Sequence, residues 1–202
     1  MDKNKNASGK TDDPTSPVLP DPGDRMSVVF VAAPHPSVLP PQELLTNCEL
    51  RTQRRSGPGG QHRNKTSSGV FLHHEPTGVV GEATERRSQA HNREVALERL
   101  RFRLAVEVRT PSIFDADDVA LETEVRAAYR GKSIRLNDSN PAKPAVLALL
   151  LNDLHASGGQ PSAVAAIWKV STSSIVTLIK SNRAAFALVN QFRQHHGRRA
   201  LK

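Results

Sequence analysis

The chain has 202 residues, enough for one full domain and a second small one, with 37% apolar and only 4% aromatic residues. That composition excludes a large aromatic-rich β-sandwich and points to small, aliphatic, mostly helical cores. The net charge of +8 favours a polyanionic partner, and the single cysteine, Cys48, excludes internal disulfides and cysteine-based zinc clusters.

Residues 1–25 are polar and rich in Asp, Lys, Ser and Pro, too poor in apolar surface to offset the entropy of ordering, and are expected to be a disordered tail. Met26 is an alternative to Met1 as the start. No apolar run approaches the roughly 20 residues that span a membrane, and the first residues lack an apolar signal core. A soluble, cytoplasmic protein is the expectation. Pro40 and Pro41 precede a short helix carrying Leu44, Leu45 and Leu50. Glu49 to Arg55 read as a strand that runs into Ser56-Gly57-Pro58-Gly59-Gly60, where glycine and proline forbid regular structure. Two β-prone runs, 69–74 and 77–81, flank Glu75-Pro76 and predict a hairpin. A long helix comes next over 85–109, with Leu97, Leu100, Leu104 and Val108 on one face, which is expected to pack on the small sheet.

Residues 110–140 read as a linker helix, its start marked by Asp115, Asp117 and Asp118, since acids complement a helix N-terminus. Residues 141–202 predict a run of three helices. The first carries an apolar stripe, Val146, Leu147, Leu150, Leu151 and Leu154, stopped by Gly158-Gly159. The second opens at Pro161 and holds Val164, Ile167 and Trp168. The last is capped by hydroxyls among Ser171 to Ser173 and carries Ile175, Ile179, Phe186 and Val189. The expected fold class is α+β: a small mixed β-sheet packed on a long helix (26–109), then the linker (110–140), then an all-α three-helix, helix-turn-helix-like basic unit (141–202).

Charge respects these divisions. Lys+Arg against Asp+Glu stand at 12 to 6 over residues 51–109, 4 to 6 over 110–140 and 8 to 1 over 141–202. Two basic blocks flank an acidic one, and each basic block holds a motif of its own.

The first motif is Arg54-Arg55-Ser56-Gly57-Pro58-Gly59-Gly60-Gln61-His62-Arg63-Asn64-Lys65-Thr66. It resembles the signature loop of class I peptide chain release factors. The likeness extends to Pro76-Thr77-Gly78-Val79 and to Glu85-Arg86-Arg87-Ser88-Gln89-Ala90-His91-Asn92-Arg93, covering roughly residues 48–106. Hydrolysing the ester between a nascent peptide and tRNA demands a placed water and stabilisation of charge on the ester oxygens. Gly59 and Gly60 let the main chain come close to the reacting centre. The resemblance implies that the backbone N–H of Gln61 stabilises the transition state and the leaving 3′ oxygen, while its side chain excludes competing nucleophiles.

It also implies that Arg54, Arg55, Arg63, Lys65, Arg86 and Arg87 contact RNA, where cations on phosphates supply affinity and position the loop. Most of the active site would be ribosomal RNA, so hydrolysis is expected only in complex with the ribosome. The implied partners are the large-subunit peptidyl transferase centre and peptidyl-tRNA, with mRNA and a glutamine methyltransferase acting on Gln61 as further candidates. No cofactor, no membrane and a monomer are expected. Arg63 departs from the family, which usually has a small apolar residue there. Standard members also carry a domain that reads the stop codon, with no counterpart here, so the likeness is closer to short, codon-independent members that rescue stalled ribosomes. The alternative is a non-catalytic RNA- or DNA-binding protein that retains the fold.

The second motif is the short turn at Val170 to Thr172, which looks like a helix-turn-helix, with an ordinary helical bundle as the competing reading. Ser173, Ser174, Thr177, Lys180 and Arg183 are candidates for contact with a phosphate backbone. Arg198, Arg199 and Lys202 form a basic end that could track along RNA. His195 and His196 have no clustered partner ligand, so no metal is expected. Gly158-Gly159-Gln160 is a second Gly-Gly-Gln, but it lacks flanking arginines and runs into Pro161, and so reads as a helix stop.

Overall fold

In the computed structural model, which describes residues 18–53, 68–117 and 119–202, residues 18–25 are held by contacts, although they belong to the segment expected to be disordered. The Arg25 guanidinium donates two 2.8 Å bonds to the Asp115 carboxylate, and Gln160 Nε2 donates to the Val18 carbonyl. These partners lie 90 and 142 positions away, so local composition gives no hint of them.

A two-residue strand, β1 (Val29–Phe30), is followed by a 3-10 turn at Pro36–Val38. Helix α1 (Pro41–Thr46) starts with proline where an N–H has no helical partner, and it seats the fully buried Leu44. Leu50, grouped with the helix leucines but also inside the strand expected from Glu49, lies in β2 (Cys48–Gln53) and is exposed. Strands β3 (Gly69–His74) and β4 (Val80–Ala83) complete an antiparallel sheet in the order β2-β3-β4. Gln53 pairs with Gly69 at one end of the β2–β3 ladder and Cys48 with His74 at the other. Val70 and Leu72 point to the core at alternate positions, as a half-buried strand requires.

Helix α2 (Gln89–Glu107) opens at Ser88, whose hydroxyl accepts from the His91 N–H at 3.3 Å. Leu100 and Leu104 are fully buried against the sheet, as their spacing predicts, and so is Ala96; Leu97 is only partly buried, and Val108, expected on the same helix face, lies past the helix end. The contact is close. A Cβ added at Gly81 of β4 would lie 2.3 Å from the Ala96 carbonyl oxygen and 2.7 Å from the Leu100 nitrogen. The helix arginines tie neighbouring backbone: Arg103 donates to the Val80 carbonyl and Arg99 to the Glu82 carbonyl, while Arg101 reaches Ser37 and Pro141. After α2, strand β5 (Val108–Arg109) pairs in parallel with β1.

Helix α3 (Ala120–Tyr129) begins later than the acidic run suggests, because Asp115 is held by Arg25 instead of facing a helix end. The apolar stripe of helix α4 (Lys143–Ala156) predicts one buried face, yet all fourteen of its residues are buried. It is covered on several sides, by α2, α3, α5 (Pro161–Trp168) and α7 (Arg183–His195). Each polar residue on it therefore has a partner. Lys143 Nζ meets Asp138, Asn152 bonds Thr110, Asp153 meets Arg126, and His155 Nε2 donates to the Met26 carbonyl.

The last expected helix is two helices, α6 (Thr172–Lys180) and α7. The break falls at Ser181-Asn182, where Asn182 Oδ1 caps α7 by accepting from the Ala185 N–H at 3.0 Å. The α+β class expected from sequence is the observed one, with seven α-helices among the described residues. Two apolar clusters form the core, one under the sheet and one around α4, and Phe102 and Val106 of α2 pack against the second.

Candidate functional site

Residues 54–67 hold Arg54, Arg55, Gly59, Gly60, Gln61, Arg63 and Lys65, and all of these lie outside the described residues. The described chain fixes where that segment is rooted. It leaves β2 after Gln53 and returns at Ser68 into β3, and Gln53 pairs with Gly69, so both roots are on adjacent strands about 5 Å apart. The Gly69 pairing is tight enough that a Cβ there would sit 3.1 Å from the Gln53 carbonyl oxygen.

One buried side chain secures the return root. Asn92, in the first turn of α2, donates from Nδ2 to the Ser68 carbonyl at 2.6 Å and to the Arg86 carbonyl at 2.8 Å, and its Oδ1 accepts from the Arg86 N–H at 3.0 Å. A buried amide with both ends satisfied is stiff, because losing either bond leaves a polar group unpaired out of water. Asn92 thereby brings the backbone of Arg86, and with it exposed Arg86 and Arg87, beside the root of the Gly-Gly-Gln segment. The sequence places Asn92 in the resembling stretch without assigning it a role. A polar residue with helical neighbours has no sequence signal that says it points inward.

Glu85, next to this turn, accepts from Arg99, and that bond together with backbone donors holds its carboxyl down at about 2. His74, at the far end of β3, is buried, and burial pushes it below its ordinary value; its Nδ1 lies 2.7 Å from Thr77 Oγ1 in the hairpin turn. It serves the turn and is remote from the root at Gln53 and Ser68.

The second set of candidates divides. Lys180 and Arg183 are exposed or partly exposed at the α6–α7 junction, and the Lys180 ammonium sits 5.8 Å from the Phe186 ring centroid. Arg183 shares a groove of about 590 Å³ with Arg99, Arg103, Glu82 and Asp138. Arg198 and Arg199 lie beyond the other end of α7, about 20 Å along its axis. There the Arg198 N–H donates to the Arg193 carbonyl, and Arg193 Nε donates to the Arg199 carbonyl at 2.6 Å. The His195 and His196 rings pack edge-on at 4.9 Å, and His195 Nε2 donates to the Asp24 carbonyl.

The second Gly-Gly-Gln is structural. Gly158 and Gly159 have φ of 62° and 71°, the left-handed region that ends a helix, and Arg193 donates to the Gly159 carbonyl. A Cβ at Gly159 would lie 2.5 Å from Arg193 Cγ, so this turn is packed against α7.

A family model described as the RF-1 domain matches residues 44–143, from α1 to the start of α4. The chain is 39% identical over 93 residues to peptide chain release factor 1-like, mitochondrial, of Rattus norvegicus, covering 45% of this chain and 24% of that protein. It is 58% identical over 53 residues to peptide chain release factor 2 of Acidovorax sp. (strain JS42), covering 26% and 14%. With peptide chain release factor 1 of Ureaplasma parvum it shares 47% identity over 74 residues, covering 34% and 21%. Residues 44–143 are therefore an RF-1 domain, the Gly-Gly-Gln domain of the peptide chain release factor family. The chain spans about a quarter or less of the length of these curated relatives.

Proposed function

We propose that this protein promotes ribosome-dependent hydrolysis of the peptidyl-tRNA ester through Gly59-Gly60-Gln61, and that it does so without reading a stop codon, as in rescue of stalled ribosomes. The observation that carries the reading is the complete Gly-Gly-Gln sequence, with Arg54, Arg55, Arg63 and Lys65 around it, inside a matched RF-1 domain. In the reaction water adds to the ester carbonyl, the acyl–oxygen bond breaks, and the proton passes to the departing 3′ oxygen of the tRNA. The Gln61 N–H is the donor for the charge on oxygen, and the glycines admit the main chain to a site whose other groups are ribosomal RNA. The codon-independent part rests on the resemblance to short, codon-independent members of the family, and it is the part that the choice of substrates below tests.

The ribosome and peptidyl-tRNA are accordingly the proposed partners. The site of action is wherever the cell's ribosomes are, and no single helix among the described residues is long and apolar enough to cross a membrane. The test is peptide release in a purified translation system on four substrates: stop-codon complexes, complexes on truncated mRNA, complexes stalled within an intact mRNA, and split large subunits bearing peptidyl-tRNA. Release is expected on the truncated or stalled complexes, and Gln61→Pro, which removes the N–H donor, or Gly60→Ala should abolish it with ribosome binding retained. Unchanged release by these variants sinks the hydrolytic reading, and release confined to stop-codon complexes sinks the codon-independent one.

A further inference from the structure

Helices α5 and α6 meet at 110° across the three residues Lys169, Val170 and Ser171, and Lys169 turns the corner with a φ of 51°. That angle and turn length are those of a helix-turn-helix. The inner faces close a core: Trp168, Ile175, Leu178 and Ile179 are buried. The outer face of α6 is different. Thr172, Ser173, Thr177 and Lys180 are exposed and Val176 is half-buried, and the spacings 172-176-180 and 173-177 put them on one side of the helix.

The charge of the sequence that carries this face is one-sided, and the carboxylates near it come from other elements: Glu82 and Asp138 in the groove of Arg183, Asp117 in the pocket of Lys169. From Leu154 to Lys202 the sequence has seven Lys and Arg and no Asp or Glu. The last carboxylate before that stretch, Asp153, is fully buried and bonded to Arg126, Ser112 and Trp168, so it does not offset the surface charge. A surface of this kind releases counterions from a polyanion and gains affinity by doing so.

We propose that the outer face of α6, with Lys169 ahead of it and Arg183 after it, is a docking surface for the phosphate backbone of folded RNA. The α6 face offers hydroxyls and one lysine, with Lys169 and Arg183 at its two ends, and no Asn or Gln to pair with an adenine edge. Its cations and hydroxyls suit contacts that position the protein on a phosphate backbone. The choice of RNA over duplex DNA rests on the ribosomal reading of the RF-1 domain. The docking surface itself rests on the geometry and charge of α5 and α6.

The experiment measures binding of the full chain to a fluorescent RNA hairpin by anisotropy across a salt series, with a DNA duplex of the same sequence as competitor. Lys169→Asn/Lys180→Gln/Arg183→Gln should weaken binding about ten-fold or more and lower the slope of log K against log salt by about 2. A second variant, Thr177→Glu, places a negative charge on the same exposed face and should weaken binding as well, with the circular dichroism of both variants unchanged. Gln61→Pro, which lacks the N–H donor, should bind RNA like the wild type, so a failure of hydrolysis is separable from a failure of docking. Wild-type affinity in both surface variants, or a DNA duplex that outcompetes the RNA, overturns the proposal.

Discussion

Asp153 is the most exposed test of how the helical half is held together. Its Oδ1 accepts from Ser112 Oγ at 2.8 Å and Arg126 NH2 at 3.0 Å, and its Oδ2 from Arg126 NH1 at 2.5 Å and Trp168 Nε1 at 2.7 Å. The carboxylate is wholly inaccessible, and the guanidinium also lies 5.1 Å from the Trp168 ring centroid. One side chain thus joins the segment before α3, α3 itself, α4 and α5. Asp153→Ala takes the doubly bonded carboxylate away from a buried guanidinium and removes this acceptor from two neutral donors. Breaking such a pair from one side costs about 3–5 kcal/mol. With a urea m-value of about 2 kcal/mol per M, the unfolding midpoint should fall by about 1.5–2.5 M. Trp168 is the only tryptophan and touches the altered site, so its fluorescence reports the transition directly. Adding Arg126→Met to Asp153→Ala should recover part of the loss, because the buried positive charge is then gone. A midpoint shift under about 0.5 M, or no recovery in the double variant, refutes the account of this network.

Three further outcomes rest on particular contacts. Gly81→Ala should lower the melting temperature by roughly 3–10 °C, since a Cβ 2.3 Å from the Ala96 carbonyl forces β4 off α2 at a cost of about 1–3 kcal/mol. Asn92→Ala should cost about 1–3 kcal/mol in a denaturation series and lower peptide release, and Asn92→Asp, which turns a buried carboxylate oxygen towards the Ser68 and Arg86 carbonyls, should cost at least as much. His35 is fully buried, and burial together with the nearby Arg109 holds its imidazole at about 3. Its Nε2 donates to the Val108 carbonyl and its Nδ1 accepts from the Ser37 N–H, so the folded state needs the neutral ring. The unfolded chain takes up a proton near pH 6.5 and the folded one near pH 3, so the His35 contribution is complete above 6.5 and is lost as pH falls towards 3. The slope is about 1 kcal/mol per pH unit in that window. His35→Gln should flatten the pH dependence of the unfolding midpoint there relative to the wild type.

Local chemistry made much of this fold legible. Ser171 does cap α6, accepting from the Ser174 N–H, Gly158-Gly159 does end α4, and the leucine spacing on α2 does mark its buried face. The errors fall where a distant partner decides. The apolar positions Ile175, Ile179, Phe186 and Val189 continue in phase through Ser181-Asn182, so periodicity alone runs α6 into α7; the break depends on the Asn182 cap. Asp115 looks like a helix start and is an ion-pair partner of Arg25. Lys143, Asp153 and His155 look like the wet side of an amphipathic helix, but each is buried with a partner far along the chain or outside the helix. The pairing of β1 with β5 joins two residues to two residues across most of the RF-1 segment, too short a pattern for any sequence signal. For the candidate site, the motif marks residues 54–66 in the sequence, whereas the Asn92 clamp at its root emerges only in the folded chain.

The two halves of the chain are joined through a core helix and not through a free linker, and this constrains how they can act together. Arg101 of α2 donates to the Pro141 carbonyl just ahead of α4, the Thr110 N–H donates to Asn152 of α4 at 3.3 Å, and Phe102 and Val106 pack into the cluster around α4. The α6 face is in turn fixed to α4 through Trp168 and Asp153. The root of the Gly-Gly-Gln segment, clamped by Asn92 on α2, and the basic face of α6 are therefore carried on one packed body. On a tethered reader, weakening RNA contact at α6 would lower only the affinity for the ribosome. On a rigid one, it also releases the constraint on where the Gly-Gly-Gln segment is aimed. The Lys169, Lys180 and Arg183 substitutions should then reduce the rate of peptide release at saturating protein as well as the affinity, and a change in affinity alone would mean that the two sites work independently.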